Sequence, residues 1–386
     1  MKNFNYHQPT KILFGKGRIE EIGEVIKEFG KKCLLVTTPA VSATEAQFKR
    51  VKEIITAAGV ELAHFAEVVP NPTTETSAAG SKMARELGAE VIVGLGGGSS
   101  MDAAKAIAVE ASHEGSAWDY LFYKEEPTEK TLPVIAISTT SGTGSQVTQV
   151  SVITNPAERD KSALYHPRCF PQVCLVDPEL MLTVPKQVTA PTGFDVFCHA
   201  FESTINPGTG AYVDLLAREA ISIVAGTLPA LLDDLENIDL REKMAWADTL
   251  AGLCIASAGV TLPHGMGMAI GGMYPHVAHG ESLAIVYPAC TKFTYGHAEP
   301  QYAAMARAFN PGLTGVPDAE AAKKSVDEVT GFLEKIGMRK KLKDVNMPES
   351  EIPALAKQSM VLPDYKGNPR VATEDEMLEI VKESYY

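Results

Sequence analysis

The stretch Glu90-Val-Ile-Val-Gly94-Leu-Gly-Gly-Gly98-Ser-Ser-Met-Asp102 decides the fold. After Glu90, Val91-Ile-Val93 form an apolar, β-branched run bounded by glycine, which reads as a buried strand. Helical spacing takes over from Asp102 to Glu110. A strand that turns through glycines straight into a helix is the unit of a parallel α/β sheet. Without Cβ atoms the backbone can turn tightly there, and its N–H groups can meet a diphosphate at the helix N-terminus. The match to the G-x-G-x-x-G fingerprint is partial: Gly94 and Gly96 fit, and Ser99 occupies the third position. A tight strand-to-helix turn that merely needs glycine is the alternative.

Outward from this stretch the same alternation recurs. Cys33–Thr37 and Leu62–Val69 read as strands before it, and Pro133–Ile137 and Val173–Val176 after it. Ala46–Ala58 and the run capped by Thr73 that ends near Leu87 have helical periodicity. This order implies a parallel sheet with helices on both faces. The loop Ser138-Thr-Thr-Ser-Gly-Thr-Gly-Ser145 also follows a strand, and its hydroxyls and glycines suit a ligand bearing phosphates and sugar hydroxyls. After Pro185 the β-type runs give way to helices, with breaks expected at Asn206-Pro207-Gly208, Pro263, Pro275, Pro288 and Asn310-Pro311-Gly312. Two domains are expected, an α/β dinucleotide-binding domain at 1–187 and an all-α domain at 188–386. Active sites of such proteins tend to lie in the cleft between the halves.

Composition narrows the class. The 386 residues are 45% hydrophobic and 22% charged, as in ordinary globular proteins. A net charge of -13 leaves no basic surplus for phosphates, so nucleic acid is not an expected partner. No secretory signal and no bilayer-spanning stretch are apparent. The six cysteines form no C-x-x-C pair, which fits reduced, buried thiols in a cytoplasmic protein.

The second half carries the candidate chemistry. In Thr192-Gly-Phe-Asp-Val-Phe-Cys-His-Ala-Phe-Glu202, Asp195 and His199 stand one helical turn apart on one face. Alone they could be an ion pair or two ligands of a divalent metal. His264 and His279 each precede a glycine, and with them the set becomes one carboxylate and three imidazoles, a set that accepts Fe²⁺, Zn²⁺ or Ni²⁺.

Taken together, these motifs resemble the iron-containing (group III) alcohol dehydrogenases over nearly the whole chain. The resemblance runs through Lys11-Ile-Leu-Phe-Gly15, Pro70-Asn-Pro-Thr73, Gly96–Asp102, Thr139–Ser145, Asp177-Pro-Glu-Leu180, Thr192–Glu202 and His279-Gly280. It implies the dehydroquinate synthase-like fold, a dinucleotide domain followed by a helical one. It also implies a metal on Asp195, His199, His264 and His279, and a diphosphate on Gly97, Gly98 and Ser99 with Asp102 nearby. Asn71, Thr139, Thr140, Thr148 and Lys161 would line the rest of the cofactor site, and Thr38 stands where the family often carries Asp. The implied activity is hydride transfer between NAD or NADP and a small alcohol or aldehyde, in a homodimer or larger assembly.

Three positions depart from the family pattern. Met268 replaces a frequent histidine, which leaves His276 as the candidate proton relay. Gln146 replaces Glu. The spacing from His264 to His279 is one residue long, which makes His276 a competitor for the last ligand. A glycerol dehydrogenase, a maleylacetate reductase, a dehydroquinate-synthase-like lyase and a lapsed nucleotide-binding protein are the competing readings.

Overall fold

The computed structural model describes residues 2–386, with Met1 outside it. The chain forms two compact units. One consists of His7–Pro185 and Leu235–Ala245; the other consists of Lys186–Asp234 and Trp246–Tyr386 with the residues up to Tyr6.

In the first unit the strands are β1 (Lys11–Phe14), β2 (Lys32–Val36), β3 (Glu61–Phe65), β4 (Val91–Gly96), β5 (Val134–Ser138), β6 (Val150–Asn155), β7 (Asp160–Tyr165) and β8 (Val173–Val176). Six of them make one parallel sheet in the order β1-β8-β5-β4-β2-β3. The helices between them are α1 (Ile22–Lys27), α2 (Glu45–Ala57), α3 (Thr74–Leu87) and α4 (Gly98–Ser112). Successive side chains of a strand point to opposite faces, and the core divides accordingly. Cys33, Leu35, Val91, Val93, Ile135 and Ile137 pack with Ile22, Val51 and Ile55 of α1 and α2. Leu34, Val36, Ile92 and Val134 pack with Ala84, Ala104 and Ile107 of α3 and α4. Both faces are covered, which is why these strands are apolar throughout rather than alternating.

The quoted stretch differs from its reading in one respect. The strand runs on through the glycines to Gly96, and the helix starts at Gly98 rather than Asp102. Thr73 caps α3 as its sequence suggests, its hydroxyl accepting from the Thr76 amide at 3.2 Å. A two-stranded antiparallel hairpin, β6 with β7, lies outside the main sheet.

The remaining helices are α5 (Lys186–Ile205), α6 (Ala211–Asp233), α7 (Ile238–Ala258), α8 (Leu262–Met273), α9 (His279–Thr294), α10 (Glu299–Phe309), α11 (Asp318–Lys335), α12 (Ile352–Gln358) and α13 (Glu374–Tyr385). Pro288 breaks nothing: α9 continues through it, fully buried on both sides of the proline. Among the described residues α6 is, by length and composition, apolar enough to cross a bilayer, and a bent α7–α8 pair passes the same test only if taken as one span. This corrects the expectation that no segment reaches that length. Val213, Val224, Leu228 and Leu231 of α6 are buried, whereas Leu215 is 70% exposed.

All six cysteines are free and buried, three in each unit. Burial pushes the Cys33, Cys169 and Cys254 thiols up to about 12, and those of Cys198 and Cys290 well above their ordinary value.

Candidate functional site

Helix α5 is amphipathic in an unusual sense, because both of its working faces are buried. Phe194, Phe197 and Phe201 lie at i, i+3 and i+7 on one face. They meet Tyr287, Phe309 and Tyr302 at ring-centroid distances of 5.4, 4.9 and 4.9 Å. These aromatic contacts fix the helix, so the phenylalanines are core rather than a lining for substrate. Asp195, His199 and Glu202 project from another face, at i, i+4 and i+7.

On that face three elements converge. From α5 come Asp195 and His199, with Asp195 Oδ1 3.6 Å from His199 Nε2. His264, in the first turn of α8, brings Nε2 to 3.5 Å from the same oxygen. His279, the first residue of α9, brings its Nε2 to 4.0 Å. Donor atoms that share one ion at about 2.0–2.2 Å lie about 3–4 Å from one another. Asp195, His199 and His264 form the one compact buried donor group of this kind among the described residues. His279 adjoins it with its side chain 22% exposed.

Unmet bonding supports the same conclusion. Asp195 Oδ1 and His264 Nε2 are buried and have no hydrogen-bond partner, although they face each other. Orphaned buried polar atoms are rare and costly, and a cation between them would satisfy both. The donor set, one carboxylate and three imidazoles, fits Fe²⁺ or Zn²⁺. Burial works against charge on Asp195, but the surrounding His199, His279 and His264 outweigh it and hold the carboxyl well below its usual range. Burial likewise opposes charge on His264, yet the Glu202 and Asp195 carboxylates push its ring up to about 10.

Glu202 is the residue that sequence reasoning left without a role. It is fully buried. Its Oε2 accepts the Thr261 amide at 2.8 Å and the Thr261 hydroxyl at 3.2 Å, and its Oε1 lies 2.8 Å from His264 Nδ1. A carboxylate that takes the Nδ1 proton leaves Nε2 to face inward as a donor. The signal was available in the i, i+4, i+7 spacing from Asp195. Gly280 places His279: a Cβ there would lie 2.0 Å from the Pro191 carbonyl oxygen, so α9 can start against α5 only with glycine next to the ligand.

His276 does not join the cluster. It is exposed, with Nε2 3.0 Å from the Val345 carbonyl oxygen and its ring edge-on to Tyr274. Met268, one turn beyond His264, is buried.

The cofactor candidates lie in the other unit. β4 and β5 pair so that Gly96 stands opposite Ser138, and the two loops leave the sheet side by side. The Thr139 amide donates to the Gly96 carbonyl at 3.0 Å. A Cβ on Gly97 would sit 3.0 Å from Thr140 Oγ1, and one on Gly98 would sit 2.6 Å from Thr143 Cγ2. Packing of one loop on the other therefore accounts for both glycines. No side chain caps α4, so the first amides of the helix, among them those of Gly98 and Ser99, keep their anion-binding character. Lys161 Nζ donates to Asn71 Oδ1 at 2.8 Å, and Asn71 holds a positive φ of 55°. Thr38 is half-buried just past the end of β2.

Asp102 stands in the second turn of α4, close to Gly98 and Ser99, and its carboxylate bonds to the protein itself. Its Oδ1 accepts from the Ser145 hydroxyl at 2.6 Å and its Oδ2 from the Val152 amide at 3.1 Å. The carboxylate is turned into the protein, where burial raises its pKa against the influence of Lys105.

Comparison with known proteins follows the same division. The iron-containing alcohol dehydrogenase family profile matches residues 9–178, and the profile for the C-terminal part of the Fe-containing alcohol dehydrogenase family matches residues 189–385. The chain belongs to the iron-containing alcohol dehydrogenase family. Within this family it is 30% identical to the NAD-dependent methanol dehydrogenase of Bacillus methanolicus, over 98% of this chain and 99% of that one. It is 31% identical to the 1,3-propanediol dehydrogenase of Klebsiella pneumoniae, over 99% of both. The crystal structure of an archaeal halo-thermophilic Red Sea brine pool alcohol dehydrogenase covers all of both chains at 36% identity and a TM-score of 0.95. Family membership sets aside the lyase reading.

Proposed function

We propose that this iron-containing alcohol dehydrogenase moves hydride between NAD or NADP and a small primary alcohol or its aldehyde, with Asp195, His199, His264 and His279 holding the metal. The observation that carries the reading is the pair of orphaned atoms, Asp195 Oδ1 and His264 Nε2, inside a buried carboxylate–imidazole cluster. A divalent ion bound there supplies Lewis acidity toward a substrate oxygen. Asp195 contributes the negative charge that retains the ion, and Glu202 fixes the ring of His264. Two relatives named for methanol and 1,3-propanediol support a small substrate, and one of them is named as NAD-dependent.

On the cofactor side, the first amides of α4 at Gly98 and Ser99 receive the diphosphate. Thr139 and Thr140 flank it, and Thr148, Lys161 and Asn71 hold the remainder. Thr38 carries no charge to repel a 2′-phosphate, so both NAD and NADP are accepted. Met268 has no proton to give and His276 is bonded to Val345, so the proton leaves through water or a ribose hydroxyl. The six free buried thiols support a reducing, cytoplasmic setting.

The test is a panel of short alcohols, diols and their aldehydes with both cofactors, on protein loaded with Fe²⁺ under anaerobic conditions. Turnover should need the metal, disappear with a chelator and return with Fe²⁺ or Zn²⁺. Thr38→Asp should shift the preference toward NAD by about tenfold. Loaded protein that turns over none of the panel would overturn the assignment.

A further inference from the structure

Lys105 lies on α4 one turn after Asp102 and is wholly buried. A buried ammonium is tolerated only when its protons are taken. Here the takers all come from one segment of chain. Lys105 Nζ donates to the Ser145 carbonyl and hydroxyl at 2.8 Å each and to the Val150 carbonyl at 2.6 Å, with Thr148 Oγ1 at 3.5 Å. Asp102 grips the same segment from the other side. It takes the Ser145 hydroxyl and the Val152 amide on its carboxylate, and the Ser151 hydroxyl on its backbone carbonyl at 2.7 Å. The two charges are 3.9 Å apart and compensate each other.

The clamped segment runs from the loop after β5 into β6. Thr148 lies within it. Lys161 is on β7, in register with Thr154 of β6, and reaches Asn71. The far end of the hairpin is also anchored, since the Thr154 amide donates to the Pro72 carbonyl at 2.8 Å. The helix that carries the clamp begins with Gly98 and Ser99. One short rigid element therefore joins both loops to the hairpin.

We infer that Asp102 and Lys105 are positioning residues, a buried clamp that fixes the Ser145–Val152 segment on α4 and thereby places Thr148 and Lys161 for the cofactor. The inference rests on the assignment of Thr148 and Lys161 to the cofactor site. It assigns Asp102 to the mounting of the hairpin rather than to contact with the cofactor.

The experiment compares Lys105→Met, Ser145→Ala and Lys161→Ala in the full-length, iron-loaded protein. Amide hydrogen exchange without cofactor is followed by mass spectrometry, together with metal content, the KM for NAD and kcat at saturating NAD. Ser145→Ala acts from the loop side and keeps the test open if Lys105→Met does not fold. Lys105→Met should speed exchange across 145–152 by about tenfold or more, with α5 and α8 unchanged. It should raise the KM for NAD about 10–100-fold while metal content stays and kcat falls less than about threefold. Ser145→Ala should shift both readouts in the same direction by less.

A raised KM in Lys161→Ala with wild-type exchange and KM in both clamp variants overturns the clamp and leaves the cofactor site standing. Faster exchange in the clamp variants with an unchanged KM for NAD overturns the link from clamp to cofactor. An unchanged KM in Lys161→Ala removes the cofactor assignment itself, and the inference with it.

Discussion

At Glu202 the two carboxylate oxygens have different tasks, one holding the entry to α8 through Thr261 and the other setting the ring of His264. Glu202→Gln keeps the shape and removes the charge. It should weaken metal binding about 10–100-fold, the usual effect of losing such a partner. Metal titration with an indicator checks this, and His276→Ala is the contrasting variant, expected to keep both metal and turnover. A Glu202→Gln protein that binds iron as tightly as wild type would remove Glu202 from the site. Asp195 and His199 were legible because a four-residue spacing places both donors on one helical face. Glu202 sits on the same face at i+7, but its spacing does not reveal that its oxygens go to Thr261 and His264, which come from a distant part of the sequence. Only the family resemblance places His279 ahead of His276, since the choice depends on where α9 begins.

At the scale of elements, the metal face depends on how closely two helices approach. Gly280→Ala would push a methyl into the Pro191 carbonyl, and α9 would have to shift. The expected cost is about 1–3 kcal/mol, typical of overpacking. The accompanying outcome is looser metal, because His279 moves with its helix. Thermal unfolding with and without iron measures both effects; equal losses in the two conditions would mean that the contact is structural only. The sheet was readable for a related reason. Strands covered on both faces are continuous apolar runs, and β2, β4, β5 and β8 announce themselves. The edge strand β1 is four residues long and mostly uncovered, and the β6–β7 hairpin mixes Ser, Thr, Asp and Lys with its apolar residues. Neither carries a periodic signal. Pro288 misled because burial of the whole helix outweighs the ~3 kcal/mol that an internal proline costs.

At the scale of the molecule, metal ligands and cofactor loops belong to different units, and so do the cysteines. Cys198, Cys254 and Cys290 share the unit of the metal cluster; Cys33, Cys169 and Cys174 share that of the sheet. A bound ion stabilises only the fold that holds it, by RT ln(1 + [L]/Kd). Chelation should therefore loosen the first set and leave the second. Buried thiols react only when the surrounding structure opens. An alkylating reagent, read peptide by peptide, therefore gives two clocks from one sample without any engineered label. Stripping iron should quicken the helical clock while the sheet clock keeps time, and if both quicken together the metal is holding the entire chain.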